Sequence, residues 1–371
     1  MGKQTTQTET VTSLEHLETV VDSDFHLSEQ QDDFLSYLPS PFHDMLFHES
    51  RDIPMGYLKD FYPTAGLLTP VATGNVEMNK VRSQADIIEG KDLLNVDRAI
   101  VTPTLNLYLG GVHHDDLAAA LAHAYNEWVL DEIYNPDEGI YGPVVVAPQK
   151  PQEAAAEIED RAGEDGIVSV FIPSGGVHPP LGNEQYFPIY AAAENAGLPV
   201  QLHSASGTQM LSFPLQFHGS NRYLSNHAPT HAMVHMTHLT DMITRGVPVR
   251  FPDLDIVFQE AGLGWVPYMT RRLDNEYSEK RSDAPMLEKM PSEYVDDQFY
   301  FTSQPVEGAK DPDYIGPIVG LMGPDNLMFS SDYPHLDFDH SDYLFSALRS
   351  NFESSDVANV YGQTALEIYD F

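Results

Sequence analysis

Gly166–Ser204 reads GIVSVFIPSGGVHPPLGNEQYFPIYAAAENAGLPVQLHS, and its pattern decides the fold. Gly166–Ile172 is a short apolar, β-branched run of the kind that forms a strand. Gly175-Gly176 supplies a turn. Glu184–Ala196 then carries a helical pattern that stops on Gly197, a suitable helix end. Leu198–Leu202 returns as a second β-branched run and leads straight into His203. Strand, helix and strand in succession make the unit from which parallel sheets are built.

The same alternation extends in both directions. Further strands are expected at Glu18–Ser23, Asp97–Thr102, Gly142–Ala147, Leu254–Gln259, Gln298–Thr302 and Leu327–Ser331. Helical patterns lie at His114–Ile133, with apolar Leu117, Leu121, Ala124, Trp128 and Val129, and at Pro151–Ala162, which opens on a first-turn proline. Two more run over His227–Arg245, ending on Gly246, and over Trp265–Tyr277. Eight strands, each followed by helix, give an α/β chain of the (β/α)₈ TIM-barrel class. Residues 1–18 read as a polar tail and 19–371 as one domain. The span 28–95, rich in Pro, Phe, Tyr and Met, is too long for a structureless loop. It reads as a partly helical insertion after the first strand, covering the active-site face, or else as a packing extension or oligomer contact.

Composition removes several function classes. Nineteen Lys and Arg against 56 Asp and Glu leave a net charge of −37. Such a chain is repelled by nucleic-acid phosphates and anionic lipid, and the longest basic run is Arg271-Arg272. Disorder is excluded by 42% hydrophobic and 11% aromatic residues, enough for a large core. There is no cysteine, hence no disulfide, thiolate metal site or cysteine nucleophile. Met1–Ser13 is polar and lacks the apolar centre of a signal peptide, and no apolar window approaches the ~18 residues of a membrane span. The expectation is a cytoplasmic protein with an acidic surface suited to a halophilic, salt-rich interior, where salt screens the self-repulsion. Its expected partner is a small molecule rather than nucleic acid or a membrane, and a homo-oligomer is compatible with this.

Barrel chemistry lies at the C-terminal ends of the strands. The first strand ends in Val20-Val21-Asp22-Ser23-Asp24-Phe25-His26, where Asp24 and His26 are two apart and project to one side. The fifth ends in His203, the sixth in Gln259-Glu260-Ala261-Gly262, and the eighth in Ser331-Asp332-Tyr333-Pro334-His335. Taken singly, these are a turn, a hydrogen-bonded core histidine, a solvated loop residue and a helix cap. At matching ends of four strands, they close around one ion.

Those motifs resemble the amidohydrolase superfamily, and most closely its second family, which includes aminocarboxymuconate-semialdehyde decarboxylase and the dihydroxybenzoate decarboxylases. Asp24-Phe25-His26, His203 and Ser331–His335 carry the likeness, with Ala124–Trp128, Phe251–Leu254, Glu260–Pro267 and Arg272-Leu273-Asp274 in support. The resemblance implies the barrel and one divalent ion on Asp24, His26, His203 and Asp332. Mixed carboxylate and imidazole donors suit zinc or manganese without choosing between them. Where many members carry a sixth-strand catalytic histidine, this chain has Glu260, which is open as a further ligand, a general base or a residue that orients His203. The fourth strand ends without lysine (Phe171-Ile172-Pro173-Ser174), which disfavours the carbamylated-lysine, two-metal form.

Three functions are compatible with this set. In the leading one, a metal-activated water hydrolyses a small carbonyl or carboxylate-bearing metabolite, with Asp332 taking the water proton and Glu260 assisting the leaving group. In the alternative, a carboxy-lyase, Asp332 or Glu260 protonates a ring or vinylic carbon as CO₂ leaves an aromatic or unsaturated acid. The third is a metal-bound barrel without catalysis. His227, His231, His235 and His238 share one helical face. His227 is assigned to catalysis and His231 to substrate binding, while His235 and His238 read as a structural stripe. Arg222, Trp265 and Tyr333, with Phe42 and Tyr57, complete the expected substrate pocket.

Overall fold

The computed structural model describes residues 13–43, 81–205, 208–217, 222–308, 311–335 and 337–371; Tyr57 and the centre of the 28–95 span lie outside the described residues. Eight strands form one sheet in sequence order: β1 (Val21–Leu27), β2 (Arg98–Pro103), β3 (Ile140–Val145), β4 (Ile167–Pro173), β5 (Val200–His203), β6 (Ile256–Gln259), β7 (Phe299–Thr302) and β8 (Leu327–Met328). Every neighbouring pair is parallel. The last strand meets the first through backbone bonds. Ser23 N–H donates to the Phe329 carbonyl (3.0 Å), and Asp332 N–H donates to that of Asp24 (2.9 Å). His26 N–H donates to the Tyr333 carbonyl at 2.7 Å. The result is a (β/α)₈ barrel.

The helices that cover it are α1 (Gln84–Leu94), α2 (Asp115–Glu132), α3 (Pro151–Arg161), α4 (Phe187–Ala196), α5 (Tyr223–Thr244), α6 (Trp265–Glu279), α7 (Pro291–Gln298), α8 (Pro312–Met322), α9 (Ser341–Asn351) and the terminal α10 (Thr364–Ile368). Local signals explain several ends. Gly197 stops α4 in the left-handed region at φ 69°. The His114 ring accepts from Leu117 N–H and caps α2. Helix α1 falls within the span that reads as an insertion, yet it is the ordinary connection from β1 to β2. Gly90 makes its close seat possible, because a Cβ there would lie 2.7 Å from the rings of Phe25 and Tyr333.

Inside the barrel, apolar and polar layers separate. Val21, Ile100, Tyr141, Val168, Val257 and Met328 form a cluster with Ala365 and Tyr369 of the C-terminal segment, which plugs the end where the strands begin. Above it, Ser169 Oγ donates to Gln201, Gln201 donates to Tyr369 Oη (3.1 Å), and Gln259 donates to the Ser23 carbonyl (2.8 Å). Buried polar groups this deep must be paired, and here they form the floor of the site.

One half-buried group has a testable pH signature. Burial pushes the Asp255 carboxyl, just ahead of β6, up to about 6. The folded chain therefore binds this proton more tightly than the unfolded one. Its stabilising contribution is complete below about pH 4 and is lost as pH rises through 6. Asp255→Asn is expected to melt with the parent near pH 4 and above it by pH 8. Melting curves across that range check this, and a gap that widens towards acid would refute it.

Candidate metal centre

An interruption in β1 creates the centre. The ladder with β2 shifts register between Asp22 and Phe25. Val21 faces the inner cluster and Phe25 the helices. Strict alternation from Val21 would send Asp24 and His26 outwards, so the bulge is what turns both into the barrel. The sequence-based strand, Glu18–Ser23, stops short because Asp-Ser-Asp resembles a turn; the structure carries the strand through it to Leu27. Asp22, on the other face, accepts from Ser331 N–H at 2.9 Å and from its hydroxyl, tying β1 to the loop after β8.

Each functional side chain is aimed by a second partner. Thr102 Oγ1 donates to Asp24 Oδ1 at 2.7 Å. His26 Nδ1 bonds the Pro103 carbonyl (3.1 Å), which turns Nε2 towards Asp332 Oδ1 (3.2 Å) and Asp24 Oδ1 (3.4 Å). His203 Nδ1 bonds the Ser204 carbonyl, and its Nε2 lies 3.0 Å from Glu260 Oε2 and 3.3 Å from Asp24 Oδ2. Outer bonds of this kind fix the tautomer and orientation of a ligating imidazole. Gln304 Nε2 donates to Asp332 Oδ2 (3.2 Å), and His335 Nδ1 sits 2.6 Å from Oδ1. Glu260 and Asp332 both adopt left-handed backbone, at φ 48° and 61°. Non-glycine residues rarely do so, and such strain collects at functional sites.

The two carboxyls are pushed in opposite directions. Burial, then the charge of Glu260, raises Asp332 well above the carboxylate range. Burial would raise Glu260 too, but His231 and His203 outweigh it and hold it well below that range. Burial lowers His231 to about 4, against the opposing pull of Glu260. At His203, burial is overcome by Asp24 and Glu260, and the ring is pushed up to about 10.

These residues fit a divalent ion. Asp24 Oδ2, His26 Nε2 and His203 Nε2 are buried, converge, and have no hydrogen-bond partner among the described residues. Such orphaned atoms in a native core call for a ligand. Donor atoms of Asp24, His26, His203 and Glu260 lie within 4.8 Å of one another, as do those of His26, Glu260, Asp332 and His335. Imidazole and carboxylate together suit manganese or zinc.

Known proteins agree. The sequence profile described as amidohydrolase matches residues 21–371. The chain belongs to the amidohydrolase family. No curated protein matches it in sequence. Among solved structures, an amidohydrolase from Mycobacterium avium subsp. paratuberculosis K-10 is similar at TM-score 0.73 and 21% identity, over 94% of this chain and 98% of that one. The 5-carboxyvanillate decarboxylase of Novosphingobium aromaticivorans, complexed with manganese and 4-hydroxy-3-methoxy-5-nitrobenzoic acid, matches at 0.67 and 20% over 95% of each chain. The 2,6-dihydroxybenzoate decarboxylase of Rhizobium matches at 0.64 and 16%, over 94% and 98%. The amidohydrolase-family chain is thus a metal-dependent enzyme.

The other residues singled out in the amidohydrolase sequence fall in different places. His227 and His231, on α5, stand beside the centre; His231 Nε2 is 3.4 Å from Glu260 Oε1, and His227 Nε2 is 3.6 Å from Asp337. Arg222 is exposed at the start of α5, with no ion pair among the described contacts. Trp265 packs outside the sheet against Phe258 and Phe301, and Tyr333 packs against Phe25 and Phe338, so both rings serve the core. Phe42 lines a cavity of about 430 Å³ beside α2 and α3 with Asp116 and Glu157. His238 is satisfied by Leu181 N–H and the Ser174 carbonyl, and His235 packs on Phe258. Sequence reading passes over Thr102, Gln304 and His335. The last stands inside the quoted eighth-strand motif, and the first two are polar residues at strand ends, which is the available signal. Among the described residues, no helix is long and apolar enough to cross a membrane.

Proposed function

We propose that this amidohydrolase-family enzyme is a non-oxidative decarboxylase of a small hydroxylated aromatic acid. The observation that carries the reading is geometric: Glu260 and Asp332 are two buried carboxyls in one cluster with His26 and His335, and their surroundings push them in opposite directions, Asp332 up and Glu260 down. Paired titratable groups driven apart in this way mark acid and base. A decarboxylase needs a positioned acid at the carbon that loses its carboxylate, and Asp332 fills that role. The decarboxylase names among the structural neighbours support the same side of the choice.

Asp24, His26, His203 and Glu260 would hold the ion, with Asp332 at the edge of the shell. When bound, the ion would supply a Lewis acid for the oxygens of an acidic substrate. Asp332 transfers its proton from Oδ to the ring carbon that bears the carboxylate. The ring-to-carboxylate bond then breaks, its electron pair restores the aromatic ring, and CO₂ departs. Water reprotonates Asp332. Gln304 and His335 hold the carboxyl in place, and burial excludes competing water.

The expected result is CO₂ release when the manganese-loaded enzyme meets a panel of 2,6-dihydroxybenzoate, 5-carboxyvanillate and related hydroxybenzoates. In D₂O the product should carry one deuterium at the vacated ring position. Net addition of water without CO₂, followed by mass spectrometry, would instead establish the hydrolase.

A further inference from the structure

Glu260 faces two ways. Its Oε2 points at His203 (3.0 Å) and His26 (3.9 Å), inside the centre already described. Its Oε1 points away from them, to His231 Nε2 at 3.4 Å. One turn earlier on α5 lies His227, whose ring meets that of His231 edge-on with centroids 5.6 Å apart. One donor atom from each of His227, His231 and Glu260 lies within 4.8 Å of the others. Asp337 Oδ2 approaches His227 Nε2 from the loop after β8, at 3.6 Å.

His231 and His235 both leave their ring nitrogens without hydrogen bonds among the described residues; of the two, His231 is the one with a carboxylate oxygen 3.4 Å away. It is 7% exposed. Leaving such polar atoms unpaired in a core is costly. His238, two turns further along the same helix, shows the ordinary solution, with both nitrogens bonded to backbone. His231 aims at a carboxylate instead, with a second imidazole at i−4 on the same helical face.

We propose that Glu260 bridges two divalent transition-metal ions. One lies on Asp24, His26 and His203; the second lies between Glu260 Oε1 and the imidazoles of His227 and His231, with Asp337 as its outer carboxylate. Two imidazoles with carboxylates form a donor set suited to zinc, manganese or cobalt, and ions bridged in two-metal sites stand about 3.5–4 Å apart. The bridge comes from the sixth strand and the second set of ligands from α5, so no fourth-strand lysine is needed. The part-exposed His227 puts the second ion on the open side, where coordination positions remain for substrate oxygens. The inference needs the metal centre but not the decarboxylase assignment, because ions are counted without substrate.

The test is metal stoichiometry and spin coupling. The full chain is stripped with chelator, reloaded with Mn²⁺ alone, and read by elemental analysis and electron paramagnetic resonance. Wild type is expected to bind two manganese per chain, with the spectrum of an exchange-coupled pair. His231→Asn and His227→Gln should each bind one, with an uncoupled six-line spectrum. The latter variant, at a part-exposed position, keeps the test decisive if the buried one fails to fold. One manganese in wild type overturns the second site, as do two in a folded His227→Gln protein. None in wild type overturns the metal centre as well. Two coupled ions without CO₂ release would leave this site standing and remove only the lyase.

Discussion

Asp332→Asn is expected to lower kcat by about 10²- to 10⁴-fold, the range associated with loss of a positioned general acid, while the fold survives. The side chain is fully buried, with Gln304 on Oδ2 and His335 on Oδ1. Asparagine has nearly the same volume and can still meet Gln304 through its carbonyl oxygen, but it has no acidic proton to transfer. It is also the right choice for the backbone. At φ 61°, position 332 is left-handed, a region that Asp and Asn enter far more readily than other side chains. An alanine there would mix backbone strain with lost chemistry. The measurement pairs CO₂ release with a melting curve for each protein. A folded Asp332→Asn enzyme that turns over at the wild-type rate would remove Asp332 from the mechanism.

The barrel is legible in the sequence because alternating strand and helix patterns are strong over segments such as Gly166–Leu202, and all eight expected strands overlap observed ones. What escapes is a polar strand. Asp22-Ser23-Asp24 carries no hydrophobic alternation, since its residues are paired to Ser331, Gln259 and Thr102 rather than packed in oil. Helix α1 is hidden for a related reason: it lies within the long span read as one insertion, where composition alone draws no boundary. Asp24, His26, His203, Glu260 and Asp332 are legible as strand-end donors, and the structure brings all five together. Their supports, Thr102 and Gln304, are neutral residues whose role depends on long-range geometry. Aromatic residues are the least readable, because a ring that suits a substrate suits a core equally. Trp265 and Tyr333 illustrate this, since both pack against other rings.

Removing the ion should abolish turnover and loosen the fold together. Without a dication, Asp24, Glu260 and Asp332 share a buried space, and the repulsion is visible in Asp332, which burial and then Glu260 and its neighbours push well above the usual carboxylate range. A bound cation neutralises those charges and satisfies the orphaned Asp24 Oδ2, His26 Nε2 and His203 Nε2. Because the unfolded chain scatters the donors, binding is linked to folding. Free metal at ~100 times its Kd adds about 2.7 kcal/mol, which for a chain of this length shifts Tm by about 3–6 °C. Chelator-treated enzyme is therefore expected to melt several degrees lower, to release no CO₂, and to recover both properties with Mn²⁺ but not with K⁺. The converse distinguishes this from general salt stabilisation: Asp24→Asn should lose most of the manganese-dependent rise in Tm, since it removes a donor charge at the centre. If the chelated wild type keeps its activity, or if Asp24→Asn retains the full manganese-induced shift, the cluster is not the metal centre.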